Sequence, residues 1–202
     1  MKSKTLIIAI CPPKNILDSA IEASKKLRGD FVLDCKNFFP HITLYMTEFP
    51  EKNLTKIKSS LKKYLRSYKV FKLIAAQKPD GKRGYVYATY LLDKNISDFQ
   101  DMIVEQLNPL RENLIRQKDL NRIETYTPEE IKNVKKYGYR MSGKLYNPHL
   151  TLTKFSENKI VDLKKIMLPD LSFTVREIGL YYGGESGTCN DEIARFKLKK
   201  IL

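Results

Sequence analysis

The sequence contains few residues of the kinds that build disulfide frameworks and metal sites. Its 202 residues include two histidines and three cysteines, and no two cysteines form a CxxC pair. Small disulfide-rich domains have an even set of cysteines, and structural zinc sites need four ligands. We therefore expect no disulfide framework, no metal or other cofactor, and a reducing compartment, which points to a cytoplasmic protein.

The sequence also lacks a long apolar run. The run Leu6–Cys11 is short, and two prolines follow it without a small-residue cleavage pattern. A membrane-spanning helix needs about 20 apolar residues, and a secretory signal ends in such a cleavage site. We interpret this run as a buried strand and expect no membrane segment. Because no basic amphipathic helix with bulky aromatic residues is present, a membrane-surface protein is a weak alternative.

Acidic residues are the minority among the charged ones. Lys and Arg total 37 against 23 Asp and Glu, which gives a formal net charge of +14. A soluble protein with this charge commonly binds polyanions such as nucleic acids or nucleotides. A lysine-rich proteome produces the same balance, so the charge permits such a function without identifying it.

The order of predicted elements repeats along the chain. The first half, about residues 1–80, predicts strand, helix, strand, helix and strand at residues 5–11, 15–28, 38–45, 53–66 and 71–76. The second half, about 85–202, predicts the same order at residues 85–92, 96–114, 145–152, 159–167 and 172–182. The pattern predicts one bilobal α/β (α+β) domain over residues 1–202, in which a pseudo-two-fold repeat of β-α-β-α-β units surrounds a central cleft.

A helical insertion, about residues 96–138, makes the second half longer than the first. Near its end, Thr127 and Glu130 match a capping box with Pro128 at the first helical position, and Gly138 is a natural end for that helix. We expect the insertion to form a lid or a substrate-selecting surface.

One five-residue motif, Pro-His-hydrophobic-Thr-Leu, occurs in both halves and contains both histidines of the chain. It occupies Pro40–Leu44 and Pro148–Leu152. Side chains at positions i and i+2 of a strand point to the same face. Each motif therefore presents a histidine and a threonine together, and the pseudo-two-fold repeat brings His41 and Thr43 to the same cleft as His149 and Thr151. A lone histidine is usually a packing residue, but two histidines in one repeated motif indicate a functional pair.

Two imidazoles and two hydroxyls around a small anion suit phosphodiester chemistry. With an ordinary pKa of about 6.5, a neutral histidine can take a proton from the attacking oxygen while a protonated one gives a proton to the leaving oxygen. Hydroxyls can bind the non-bridging phosphate oxygens. His41 and His149 are the candidate catalytic residues, and Thr43 and Thr151 the candidate phosphate-binding residues. The pattern leaves open which histidine is the base.

Five further residues are candidates for substrate binding, although each also fits a packing or solvent-exposed role. The period-two pattern places Tyr45 on the face of Thr43, and Thr153 on the face of Thr151. Arg140 and Lys154 are cations near the second motif, and Tyr181 precedes a glycine-rich loop and can stack on a base.

With its paired motifs, its opening strand Leu6–Pro13 and its element order, the chain resembles the 2H phosphoesterase superfamily over nearly its whole length. The segment Tyr137–Arg140 is also similar to bacterial 2′-5′ RNA ligase-like proteins. That superfamily includes 2′-5′ RNA ligases, RNA 2′,3′-cyclic phosphodiesterases, 2′,5′-oligoadenylate phosphodiesterases and phage enzymes that cleave cyclic oligonucleotide signals. The resemblance implies catalytic His41 and His149 and phosphate-binding Thr43 and Thr151.

The sequence thus predicts a metal-independent phosphodiesterase that acts on RNA ends or oligonucleotides with 2′,3′-cyclic phosphate or 2′-5′ linkages, with ligation as the reverse reaction. The expected partner is RNA or a nucleotide, with no obligate protein partner and a monomeric state. Two alternatives remain open: cleavage of cyclic oligonucleotide signals, and a catalytically silent RNA-binding protein.

Overall fold

The computed structural model of the protein describes residues 2–156, 162–184 and 187–199. Within them the strands are β1 Ser3–Ile10, β2 Ile42–Pro50, β3 Phe71–Leu73, β4 Asp80–Lys82, β5 Tyr85–Thr89, β6 His149–Lys154, β7 Phe173–Val175, β8 Glu177–Gly183 and β9 Cys189–Lys197. The helices are α1 Lys14–Leu27, α2 Leu54–Leu65, α3 Lys94–Leu107, α4 Gln117–Leu120 and α5 Pro128–Tyr137. No helix in the described ranges is long and apolar enough to cross a membrane.

Seven of these strands form one sheet in the order β4-β5-β6-β2-β1-β8-β9, and β3 pairs with β7 in a second, two-stranded sheet. The pairs between these named strands are antiparallel. The prediction of a mixed α/β (α+β) fold is therefore confirmed. At the centre of the large sheet, β2 and β6 are joined by the single residue pair Ile42 and Leu150, so the two motif strands are neighbours.

The two halves of the chain are built alike around this junction. β1, α1, β2, α2 and β3 are followed by β5, α3, β6 and β7 in a corresponding order. Each helix that precedes a motif strand packs on the motif strand of the other half, α1 against β6 and α3 against β2. The main apolar core draws on residues from Leu6 to Leu198, so both halves share it.

Local sequence explains several boundaries. Thr127 accepts a hydrogen bond from the backbone of Glu130 while the Glu130 side chain accepts one from the Thr127 backbone, so the predicted capping box is confirmed. Gly138 ends α5 in a left-handed conformation, with φ of 67°. The turn between β4 and β5 consists of Arg83 and Gly84, which both have positive φ, as a type I′ hairpin turn requires.

Several predicted boundaries differ from the structure. Both motif strands begin later than predicted, at Ile42 and His149, because a proline precedes each histidine and cannot donate to a strand ladder. The predicted helix 96–114 ends at Leu107 and continues as a 3-10 turn through Pro109. The described part of the predicted helix 159–167 contains a 3-10 turn, Leu163–Lys165, and residues 157–161 lie outside the described residues.

Each motif strand contains a β-bulge at the same position. Along β2, Thr43 pairs with Ala9 and Tyr45 with Ile8, which leaves Leu44 as the extra residue.

Along β6, Thr151 pairs with Tyr87 and Thr153 with Val86, which leaves Leu152 as the extra residue. A bulge interrupts the alternation of side chains between the two faces. As a result, the motif leucine and the residue after it are both buried, in each half of the chain.

Candidate active site

The two histidines occupy equivalent places beside the central junction. His41 directly precedes β2, and His149 is the first residue of β6. Nδ1 of His41 lies 2.7 Å from the carbonyl oxygen of Phe39, and Nδ1 of His149 lies 2.7 Å from that of Asn147. Because a carbonyl oxygen only accepts, each Nδ1 carries the hydrogen. In its neutral form, each imidazole therefore keeps an unprotonated Nε2 for chemistry.

Because of the register between β2 and β6, the histidine of each motif lies across from the threonine of the other motif. Antiparallel pairing of Ile42 with Leu150 places His41 across from Thr151, and Thr43 across from His149. Ile42 and Leu150 are fully buried in the main core, so the histidines and threonines face the opposite side of the sheet. Neither threonine hydroxyl makes a hydrogen bond within the described residues, which leaves both available to a ligand.

Burial and nearby positive charge lower the pKa of both imidazoles. Burial lowers the pKa of His41 below the ordinary value of 6.5, and the charge of His149 lowers it further, against hydrogen bonds to the backbone of Phe39 and Gly187 that raise it. The influence of one histidine on the other shows that they lie within electrostatic reach.

For His149, burial again lowers the pKa, and the charge of Arg140 adds to the effect. The hydrogen bond to Asn147 and the charge of Asp80 act in the opposite direction. Both groups therefore favour the neutral form at pH 7, in which Nε2 acts as a base.

Because of the bulges, two residues that the sequence predicts on this face lie in the core instead. Tyr45 was expected beside Thr43, but it is fully buried, and its hydroxyl donates to the carbonyl oxygen of Tyr137 at 2.6 Å. Thr153 was expected beside Thr151, but its hydroxyl donates to the carbonyl oxygen of Phe31 at 2.6 Å. The expectation that these two side chains share the face of the motifs is wrong, because the extra residue in each strand turns them into the core.

The same shift places Lys154 on the face of the motifs. It pairs with Tyr85 of β5, and its Nζ lies 5.4 Å from the centroid of the Tyr85 ring. Arg140 also lies near the second motif, since its charge lowers the pKa of His149. Its guanidinium is held by a 2.7 Å ion pair with Glu130 and lies over the ring of Tyr126 at 5.5 Å.

Tyr181 lies on the side of the first motif, in a small cluster with Phe39 on the histidine face of the sheet. Its ring is 3% exposed, and its hydroxyl lies 2.9 Å from the sulfur of Cys11 and donates to Glu192 at 3.2 Å. A side chain this buried leaves almost no surface on which a base can stack. A cavity of about 640 Å³ is lined in part by Phe39, Tyr181 and Arg195.

Two aromatic residues of this face were not predicted from the sequence. The Tyr87 ring lies 4.6 Å from the imidazole of His149 between centroids, and the Tyr85 ring is parallel to that of Tyr87 at 6.3 Å. Their alternation with buried Val86 and Ala88 is visible in the sequence, but their place beside the second motif depends on the pairing of β5 with β6.

The described ranges contain no group of three or more His, Cys, Asp or Glu side chains placed to hold a metal ion. The side chains gathered here are two imidazoles with lowered pKa values, two hydroxyls without a hydrogen bond in the described residues, two nearby cations and two tyrosine rings. That set can bind an anion and move protons on either side of it.

A family model matches most of the chain. The 2′-5′ RNA ligase superfamily matches residues 17–187. No curated protein sequence matches the chain.

Solved structures have the same fold over almost their full length. LigT of E. coli in its apo form is 14% identical with a TM-score of 0.63, covering 98% of this chain and 99% of that chain. TT0787 of Thermus thermophilus is 15% identical with a TM-score of 0.64, covering 98% and 100%. LigT of E. coli complexed with 3′-AMP is 16% identical with a TM-score of 0.61, covering 98% and 99%. At these identities the similarity shows the fold.

Proposed function

The chain belongs to the 2′-5′ RNA ligase superfamily, and from this premise we propose that it is a 2H-type phosphodiesterase acting on RNA ends or oligonucleotides, with His41 and His149 as its acid–base pair. The observation that carries the proposal is the equivalence of the two histidines: each is fixed through Nδ1 by the carbonyl two residues before it. Both therefore offer Nε2 to one face of the sheet.

With a 2′,3′-cyclic phosphate, the neutral histidine removes a proton from water, whose oxygen forms a bond to phosphorus. The bond from phosphorus to one ribose oxygen breaks, and the protonated histidine gives its proton to that oxygen. The product is a phosphomonoester, and the two histidines have exchanged protonation states. The hydroxyls of Thr43 and Thr151 donate to the non-bridging oxygens as their charge grows.

With a 2′-5′ linkage, the neighbouring 3′-hydroxyl takes the place of water. Its attack gives a 2′,3′-cyclic phosphate and releases a 5′-hydroxyl, which receives the proton of the acidic histidine. Ligation is this step in reverse, so one site supports both directions. LigT of E. coli has been crystallised with 3′-AMP and with ATP, which supports a nucleotide as the ligand of this chain.

The test is turnover in the presence of EDTA, with 2′,3′-cyclic AMP, 2′-5′-linked diadenylate and cyclic diadenylate as substrates. The variants His41→Asn and His149→Asn retain a side-chain N–H for the carbonyls of Phe39 and Asn147. We expect each to lose about 10²- to 10⁴-fold in kcat, the range of general acid–base catalysis. Thermal unfolding of each variant checks that the fold is kept.

The choice of substrate separates the remaining alternatives. Turnover of cyclic diadenylate alone identifies an enzyme of cyclic oligonucleotide signals. If the wild type cleaves none of the three and binds RNA as tightly as the histidine variants do, the protein is a binding module and the enzyme proposal is wrong for these substrates.

A further inference from the structure

A row of aromatic rings leads away from the second motif along the histidine face of the sheet. It begins at His149, continues with Tyr87 at 4.6 Å between ring centroids, and ends with Tyr85, 6.3 Å further on. The planes of the two tyrosine rings differ by 6°, so their faces point the same way. We call Tyr85 and Tyr87 the tyrosine row.

The packing of β5 explains why residues 85 and 87 lie on the histidine face of the sheet, but it does not require tyrosine at these positions. Val86 and Ala88, on the other face of the strand, are buried in the protein interior. Tyr85 and Tyr87 remain partly exposed, so they contribute less to the core than their size allows. Partly exposed aromatic rings on a strand are the usual platform for bases of single-stranded nucleic acids.

Positive charge surrounds the tyrosine row. The Nζ of Lys154 lies 5.4 Å from the centroid of Tyr85. Burial, Tyr85 and the charge of Asp80 raise the pKa of Tyr87, and the charges of Arg140 and Arg83 oppose that rise, which places both cations within electrostatic reach of the ring. Asp80 is the acidic neighbour on the adjacent strand, paired with Tyr87.

Charge and aromatic rings together are the two components of a single-stranded nucleic acid site. Cations bind the phosphates, and the ring faces stack with bases regardless of their identity. The tyrosine row also begins in contact with His149, so a base on it belongs to a nucleotide next to the phosphate between the histidines.

We propose that Tyr85 and Tyr87 form a nucleobase subsite that holds a base adjacent to the scissile phosphate, so that the preferred substrate is an oligonucleotide; this rests on the proposed phosphodiesterase function. The subsite lies on the side of β5, opposite the cavity beside Phe39. It predicts a preference for nucleotide phosphodiesters over phosphodiesters without bases. Stacking sets this preference, so any of the four bases is accepted at this position.

The first experiment varies the ligand and leaves the tyrosine row intact. Binding of 2′-5′-linked diadenylate is compared with that of two analogues in which one adenine or the other is replaced by hydrogen. Turnover is prevented by using the protein with His41→Asn and His149→Asn. We expect loss of one particular adenine to raise Kd about tenfold, within the range of base–aromatic stacking.

The second experiment connects that base to the row. The same dinucleotide carries 2-aminopurine at one position or the other, and stacking on a ring quenches its fluorescence. Tyr85→Leu removes the ring face, whereas Tyr85→Phe keeps it. We expect quenching at one position in the parent and in Tyr85→Phe, and its loss in Tyr85→Leu together with an about tenfold higher Kd.

Tyr64→Leu is the matched control. Tyr64 is also a partly buried surface tyrosine, with the Nζ of Lys63 at 5.3 Å from its ring centroid, but it lies on α2. Its replacement should leave Kd and quenching as in the parent.

The outcomes separate this proposal from the proposed function. Quenching that depends on Tyr85 supports the subsite even if the wild type cleaves none of the substrates with EDTA present. Turnover by the wild type, with equal binding by all three dinucleotides or with quenching that Tyr85→Leu leaves intact, overturns the subsite and keeps the phosphodiesterase.

Discussion

The hydroxyl of Ser24 donates a 2.6 Å hydrogen bond to the carbonyl oxygen of Leu152, the extra residue of the bulge in β6. In the other half of the molecule, the amide of Gln100 donates at 3.1 Å to the carbonyl oxygen of Leu44, the extra residue of the bulge in β2. Each bulge therefore receives one polar side chain from the helix that packs over it. These contacts stabilise the bulges, which turn Tyr45 and Thr153 away from the face of the histidine–threonine pairs.

Replacing Ser24 by alanine should destabilise the protein. Ser24 is fully buried and also accepts a hydrogen bond from the backbone of Leu33 at 2.9 Å, so Ser24→Ala leaves two buried backbone groups without a partner. We expect a loss of about 1–3 kcal/mol in the free energy of unfolding, measured by urea denaturation. Ser19→Ala is the control, since Ser19 is partly exposed and its hydroxyl, within the described part of the chain, donates only to the carbonyl oxygen of Asn15 in the same helix. An equal loss in both variants would contradict the role of Ser24.

Arg111 is a second buried polar residue whose removal should be costly. It is 1% exposed and donates to Asn108 and to the carbonyl oxygens of Leu114, Lys135 and Lys136, the last two at the end of α5. Arg111→Met should lower the free energy of unfolding by about 3 kcal/mol or more, because four acceptors lose a charged donor.

The control for this change is Arg66→Met at an exposed arginine after α2. Urea denaturation of the two variants side by side gives the comparison. A loss at Arg111 no larger than that at Arg66 would mean that water replaces the guanidinium in these contacts.

The sequence predicts best what depends on neighbouring residues. The capping box of Thr127 and Glu130 and the helix end at Gly138 need only a few consecutive residues, and both are confirmed. The common face of each histidine and its threonine was also predictable. The two residues are two positions apart, and both come before the bulge in their strand.

What the sequence could not predict depends on contacts between distant segments. Period-two alternation placed Tyr45 and Thr153 with the motif threonines, but a bulge is determined by the partner strand and by the helices above it, here through Ser24 and Gln100. The sequence does not predict the place of Tyr85 and Tyr87 for the same reason, since it follows from the pairing of β5 with β6.

Activity should be highest on the acid side of neutral pH. Burial lowers the pKa of both His41 and His149 below 6.5. The active free enzyme has one histidine neutral and one protonated, and this form is most abundant between the two pKa values. We expect a bell-shaped profile of kcat/KM with its maximum below pH 6.5, measured with 2′,3′-cyclic AMP in EDTA. A maximum above pH 7 in the free-enzyme parameter would contradict the lowered pKa of the two histidines.

Removing the charge of Arg140 should move this profile to higher pH. The cation disfavours the protonated form of His149, so Arg140→Gln should raise the pKa of that histidine. One limb of the bell-shaped kcat/KM profile should move to higher pH while the other stays in place. The limb that moves identifies the apparent pKa that belongs mainly to His149. Arg122→Gln, at an exposed arginine of the same insertion, is the control and should leave both limbs in place. If Arg140→Gln changes KM but neither limb, Arg140 binds substrate without acting on His149.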